Sequence, residues 1–171
     1  MEEVLPPDTE NGAGFEPTRV RQFTVFLENR VGRLQTLVRA YEEQAGRFVS
    51  LSIQNSADTA LVRLICSDPD LAVDVLEQEG FSFTEQELLI VELPRSKTPL
   101  ISICAALLTA EINIHYAYPL MVSPVGPALA LYLDDPTLGA QILIRKGFTL
   151  ISEGDLRKGR WGLGDSDEMS N

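Results

Sequence analysis

Two copies of a β-α-β-β-α-β unit, each an antiparallel sheet covered on one face by two helices and the pair packed together, form the α+β class this sequence predicts. Three observations predict it: an internal repeat, matching switches between strand and helix periodicity in both copies, and turn residues between the segments. The repeat comes first because it constrains every later assignment. AVDVLEQEGFSF (72–83) returns 67 residues later as GAQILIRKGFTL (139–150), and LVRLICSDPD (61–70) returns as ALALYLDDPT (128–137) at the same offset. Further upstream FTVFLENRVGRLQTL aligns with LIVELPRSKTPLISI at an offset of 66, so one residue is inserted between the second and third strands of the second copy.

Residues 21–28 alternate as a strand, with Phe23, Val25 and Leu27 on one face. Leu34, Leu37, Val38, Tyr41 and Ala45 follow at helical spacing, a stripe that is buried against a sheet. Residues 47–54 and 59–66 read as two strands joined by the polar turn NSAD. Asp68 caps the next helix with Pro69 at its first position, Gly80 ends it after Val75 and Leu76, and FSFTE is the last strand. The second copy repeats the order as strand 87–93, helix 98–110, strands 112–121 and 127–133, helix 136–146 and strand 148–152. Only Glu85 and Gln86 connect the copies, so they pack as one body. The expected divisions are an acidic disordered tail (1–20), a first unit (21–85), a second unit (86–156) and a C-terminal tail (157–171).

With 171 residues, 44% of them hydrophobic, the chain can bury a real core. Its 14 Lys and Arg stand against 25 Asp and Glu, a formal net charge of −11 that repels phosphate backbones and anionic lipid. Nucleic acid and membrane surfaces are therefore excluded as partners, and no apolar run approaches the roughly 18 residues of a membrane span. The same element order serves RNA-recognition modules, but those stack bases on sheet aromatics beside basic residues, and the third strand, ALVRLIC, has no aromatic. The first residues, MEEVLPPDTENGAGFEPTR, lack the basic start and apolar stretch of a secretory signal, so a cytoplasmic location is expected by default. Cys66 and Cys104 lie in apolar runs and read as reduced, buried core thiols.

Catalytic machinery does not emerge. His115 is the only histidine and opposes Ile112 and Ile114 in parity, which makes it a surface or interface residue; with it alone there is no histidine-rich metal site, and no cofactor is expected. Asp135, before Pro136, reads as a helix cap, and Asp134 beside it completes no acid pair. Tyr116 and Tyr118 fall at strand spacing and are left open between a subunit contact and burial within the monomer. Arg33, Arg39 and Arg47 are interspersed with Glu28, Glu42 and Glu43, a mixed surface. Trp161 either docks on the body or awaits a partner.

The chemistry concentrates in the loop LENRVGRL, comprising Glu28, Asn29, Arg30, Val31, Gly32, Arg33 and Leu34. Without a Cβ at Gly32, a carboxylate can approach the N–H groups of Gly32, Arg33 and Leu34 at the positive end of the first helix. Asn29 offers both donor and acceptor, and Glu28 can balance an ammonium group. The alternative is a solvated turn whose glycine eases the bend. The repeat, the element order and this loop together resemble the ACT domain, specifically the small tandem-ACT proteins, over residues 21–156. In that family, of ferredoxin-like fold, an Asp/Glu/Asn-rich loop with a Pro-Gly pair precedes the first helix, and amino acids bind near it at an interface between units. Here Val31 stands where the proline is usual, and PRSKTPL in the second unit puts Thr98 where the glycine would be. The resemblance implies a non-catalytic allosteric sensor of a small amino acid, partnered by a second copy or by a regulated metabolic enzyme. The alternative is an assembly module with no small-molecule ligand. The first loop is expected to hold the ligand, and the second to be a degenerate turn.

Overall fold

The structure, a computed structural model, describes residues 18–28, 30–56 and 58–159. Asn29, Trp161 and nearly all of both expected tails lie outside the described residues. The order is β1 (Arg19–Glu28), α1 (Arg33–Glu42), β2 (Phe48–Asn55), β3 (Thr59–Cys66), α2 (Pro69–Gln78), β4 (Ser82–Glu92), α3 (Pro99–Leu108), β5 (Ile114–Pro119), β6 (Ala128–Leu133), α4 (Pro136–Arg145), β7 (Leu150–Ile151) and α5 (Glu153–Lys158). Both β-α-β-β-α-β copies are present as the repeat predicts.

The copies are joined differently from the expectation. Glu85 and Gln86 are not a connection between two strands; they lie inside one eleven-residue strand, β4, that serves both units. Its first part pairs antiparallel with β1 (Phe26 opposite Ser82 through Arg19 opposite Leu89), and its second pairs with β6 (Leu89 opposite Leu131 through Glu92 opposite Ala128). The result is one sheet in the order β2-β3-β1-β4-β6-β5, with β7 beside β1 on the same edge of β4.

Period-two alternation then sorts side chains between two faces. On the outer face Phe23, Val25, Leu27, Val62, Leu64 and Cys66 pack under Leu37 and Tyr41 of α1 and Val75 and Leu76 of α2. Leu89, Val91 and Leu131 do the same under Ile103 and Leu107 of α3 and Leu143 of α4. Fully burying each such aliphatic side chain contributes about 1.5–3 kcal/mol.

The helix-free face is also buried. The sheet curls until its two edge strands meet: the N–H of Met121, just beyond β5, donates to the Val49 carbonyl of β2 at 2.9 Å, and Ser50 Oγ donates to the Pro119 carbonyl at 2.7 Å. Inside the curl Val20, Val49 and Ile65 of the first unit meet Leu88, Ile90, Tyr118, Ala128 and Ala130, and Leu156 of α5 closes the end. Polar groups in this layer satisfy one another. Gln22, fully buried, donates from Nε2 to Gln86 Oε1 (2.9 Å) and Tyr116 Oη (2.8 Å) and accepts from Tyr118 Oη (2.6 Å). Tyr116 and Tyr118 are thus internal contacts between units.

A bulge between Ile114 and Tyr116 explains how β5 serves two cores. Ile114 faces the helices, Tyr116 and Tyr118 face inward, and exposed His115 lies against the Tyr132 ring at 5.4 Å. α5 was not anticipated; it crosses the expected boundary at residue 156. A reciprocal capping box of Ser152 and Asp155 starts it, and Glu153 then anchors it to the first unit. Arg21 donates from Nε to Glu153 (3.0 Å) and from Nη2 to Asp70 (2.9 Å). Those guanidinium bonds hold the Asp70 carboxyl below its ordinary value. The two cysteines diverge: Cys66 is buried as expected, whereas Cys104 is exposed on the outer side of α3.

Candidate functional site

The loop between β1 and α1 is built by backbone geometry. Gly32 adopts φ +88°, ψ −12° at the N-cap of α1, a left-handed conformation that glycine reaches without strain. A Cβ added there would meet nothing within 4 Å, so the glycine side of the loop is open. Glu28 ends β1 exposed, its carboxylate 3.0 Å from Arg30 Nε, and Val31 projects fully into solvent. Of the three N–H groups expected to form a cradle, that of Arg33 is turned inward and donates to the Arg30 carbonyl at 3.3 Å. The Arg33 guanidinium lies over the Phe81 ring at 4.8 Å, with its Nε buried and without a hydrogen bond among the described residues. Leu34 is half-buried on the first core. The structure therefore brings together Glu28, Arg30, Gly32 and the start of α1, and points Arg33 away from them.

Helix starts distinguish two classes. Asp68, Asp135 and Ser152 cap α2, α4 and α5 through their side chains. The N-caps of α1 and α3, Gly32 and Thr98, make no side-chain cap bond. Both are the helices that follow the first strand of a unit, and their first-turn N–H groups face no competing side-chain acceptor at the cap. The duplication persists in detail: Thr36 Oγ1 donates to the Gly32 carbonyl and Ser102 Oγ to the Thr98 carbonyl, each at 3.0 Å.

The second loop borders a cavity that sequence reasoning missed. About 350 Å³ opens among Glu92, Arg95, Ser96, Ser102, Lys146 and Phe148, bringing one carboxylate and two cationic side chains to one hollow. Its residues come from β4, the following loop, α3 and the α4–β7 turn. The Glu92 N–H donates to the Thr149 carbonyl at 2.9 Å and draws that turn against β4. Lys146 ends the helix expected over 136–146, but only the fold brings it near Glu92. No cluster of metal-binding side chains occurs among the described residues. Nor is any described helix long and apolar enough to cross a membrane.

A duplicated ferredoxin-like unit, sharing its central strand and presenting an uncapped helix after each first strand, defines the class. The model of the ACT domain pair family matches residues 18–159, and the chain belongs to that family. None of the curated proteins matches it in sequence. Among solved structures it is similar to a protein of Bacteroides thetaiotaomicron, with TM-score 0.75 and 23% identity over 82% of this chain and 97% of that one. It is also similar to the ligand-free regulatory subunit of aspartate kinase from Thermus thermophilus, with TM-score 0.50 and 11% identity over 74% of this chain and 91% of that one. At these identities the likeness is one of fold.

Proposed function

We propose that this chain is a non-catalytic regulatory module that binds a small amino acid at the β1–α1 loop of its first unit and transmits occupancy through the shared sheet. The observation that carries the reading is the uncapped start of α1 on a left-handed, open-sided Gly32. Anions are held at such helix ends by backbone N–H groups and the helix dipole. Glu28 lies one strand end away to balance the ammonium group, and Asn29 stands between them in sequence. Family membership supports a regulatory role, in which the sensed occupancy acts on a second copy or on a metabolic enzyme. An assembly module without a small-molecule ligand is the second reading, favoured by the apolar outer side of α3, where Ile101 and Leu108 are 66% and 75% exposed.

A thermal-shift screen of the twenty amino acids tests the proposal. A ligand present at 100 times its dissociation constant stabilises the fold by about 2.7 kcal/mol, and an assembly module predicts no shift. Calorimetry on two variants then locates the site. Gly32→Val removes binding and, because a β-branched residue is strained at positive φ, costs more than 1 kcal/mol of stability without ligand. Thr98→Val, at the equivalent position, leaves binding intact. The reverse result transfers the site to the Glu92–Lys146 cavity.

A further inference from the structure

The duplication supplies an internal control for the hollow beside the second loop. In the first unit Arg33 lays its guanidinium over the Phe81 ring at 4.8 Å. Pro99 and Phe148 hold the equivalent positions, at offsets of 66 and 67 residues. A proline has no guanidinium to lay over Phe148, and the hollow of about 350 Å³ opens beside that ring, a volume in the range of small-molecule sites. The charges around it differ between the copies as well. Asn29, Val31, Gln78 and Glu79 of the first unit become Arg95, Lys97, Arg145 and Lys146 of the second, a change from −1 to +4 in a chain of net charge −11. The ion-paired Glu28 and Arg30 of the first loop give way to uncharged Pro94 and Ser96.

All four cations are exposed, and none forms an ion pair among the described residues, whereas Arg19, Arg21, Arg30, Arg39 and Arg157 each meet a carboxylate. Glu92, the carboxylate that lines the hollow, pairs with none of them. Helix dipoles account for half of this pattern. Arg145 and Lys146 stand at the negative end of α4, where cations are stabilised. Arg95 and Lys97 instead precede the positive end of α3, whose Thr98 makes no side-chain cap bond. Cations placed there are repelled by the helix end and by one another, and a bound anion offsets both costs. Arg95 from the loop before α3 and Lys146 from the turn after α4 both line the hollow.

We infer that this hollow binds a small molecule carrying two or more anionic groups, carboxylate or phosphate, which bridges Arg95 and Lys146. Arg95 offers a planar fork that matches either group, Lys146 a point charge for a second, and Ser96 a hydroxyl donor beside them. The inference does not rest on amino-acid binding at the first loop.

Calorimetry on the full chain, with citrate and pyrophosphate as probes and acetate as the singly charged control, tests it. At least one polyanion binds with a dissociation constant below about 1 mM, the affinity falls as salt rises, and acetate does not compete. Citrate alone identifies carboxylates as the groups held, and pyrophosphate alone identifies phosphates. Arg95→Asn and Lys146→Glu install the residues that the first unit carries at the same positions. Each raises the dissociation constant by about tenfold or more, while Arg39→Asn, which removes a cation on α1, leaves it unchanged. Glu92→Gln preserves or tightens binding, because a polyanion gains nothing from that carboxylate. Silence with both polyanions, or acetate binding as tightly, overturns the inference. Binding that is indifferent to both Arg95→Asn and Lys146→Glu, or that Arg39→Asn weakens equally, belongs to another site or to net charge and also overturns it. Loss of binding in Glu92→Gln would assign the hollow to a ligand with a cationic group and overturn the polyanion class.

Discussion

At the end of β3 the Cys66 thiol sits beneath Tyr41, and burial pushes it from the ordinary 9.0 up to about 12. Burial also raises the Tyr41 and Tyr118 phenols. The folded chain thus holds these protons more tightly than the unfolded chain. The associated stability is complete below about pH 9 and is lost as pH rises through the folded value near 12. The urea midpoint should fall over this window, and Cys66→Ala should make the fall shallower without abolishing it, because both phenols still contribute. An unchanged slope in Cys66→Ala would show that the thiol holds its proton no more tightly in the folded chain than in the unfolded one. Burial of Cys66 was legible because its strand alternates toward a helix-covered face. Cys104 was not: an apolar neighbourhood in sequence says nothing about which side of a helix carries the residue. Gln22 was missed for a related reason. It lies opposite Phe23 in parity, on a face covered largely by residues remote in sequence, Tyr116 and Tyr118 among them.

Helix starts were the most legible elements, because a cap involves neighbours within a few residues. Asp135 accepts from the Leu138 N–H at 2.9 Å, as the Asp-Pro pair implied. Asp135→Ala should cost about 1 kcal/mol in urea unfolding, whereas Thr98→Ala, at an N-cap that makes no side-chain bond, should cost only a few tenths. Equal losses would mean that the Thr98 hydroxyl caps α3 in solution. Strand limits were less legible, because partners elsewhere in the chain decide them. β1 begins at Arg19 rather than Arg21 since Leu88 and Leu89 are there to pair with it. Polar Glu85 and Gln86 read as a connection, yet each pairs across to β1, with Phe23 and Gln22. The six residues of α5 carry one buried apolar side chain, Leu156, too little to produce a helical stripe. The candidate site divides the same way. Gly32 at the start of α1 is a local feature and was visible, whereas the cavity beside the second loop depends on β4 and the α4–β7 turn meeting.

For the whole molecule, β4 is the element through which every core passes. Phe83 packs on the first, Leu88 and Ile90 fill the curl, and Leu89 and Val91 belong to the third. The curl is closed by contacts such as Met121 to Val49, remote in sequence, and by Arg21 holding Glu153 of α5. No local pattern encodes such closure. Its thermodynamic consequence is that neither unit can lose β4 and keep its own core. Urea unfolding should therefore be one transition, with far-ultraviolet dichroism reporting helices and near-ultraviolet dichroism reporting Tyr116 and Tyr118 at coincident midpoints. Gln86→Pro removes a strand N–H between the two halves of β4 and the side chain to which Gln22 and Thr24 bond. It should cost about 3 kcal/mol or more by those combined losses and shift both signals together. The second unit's own pairing with β6 begins at Leu89, beyond the substitution. If its helices nevertheless survived at urea concentrations where the tyrosine signal had vanished, the units would be separately stable and the shared strand merely a connection.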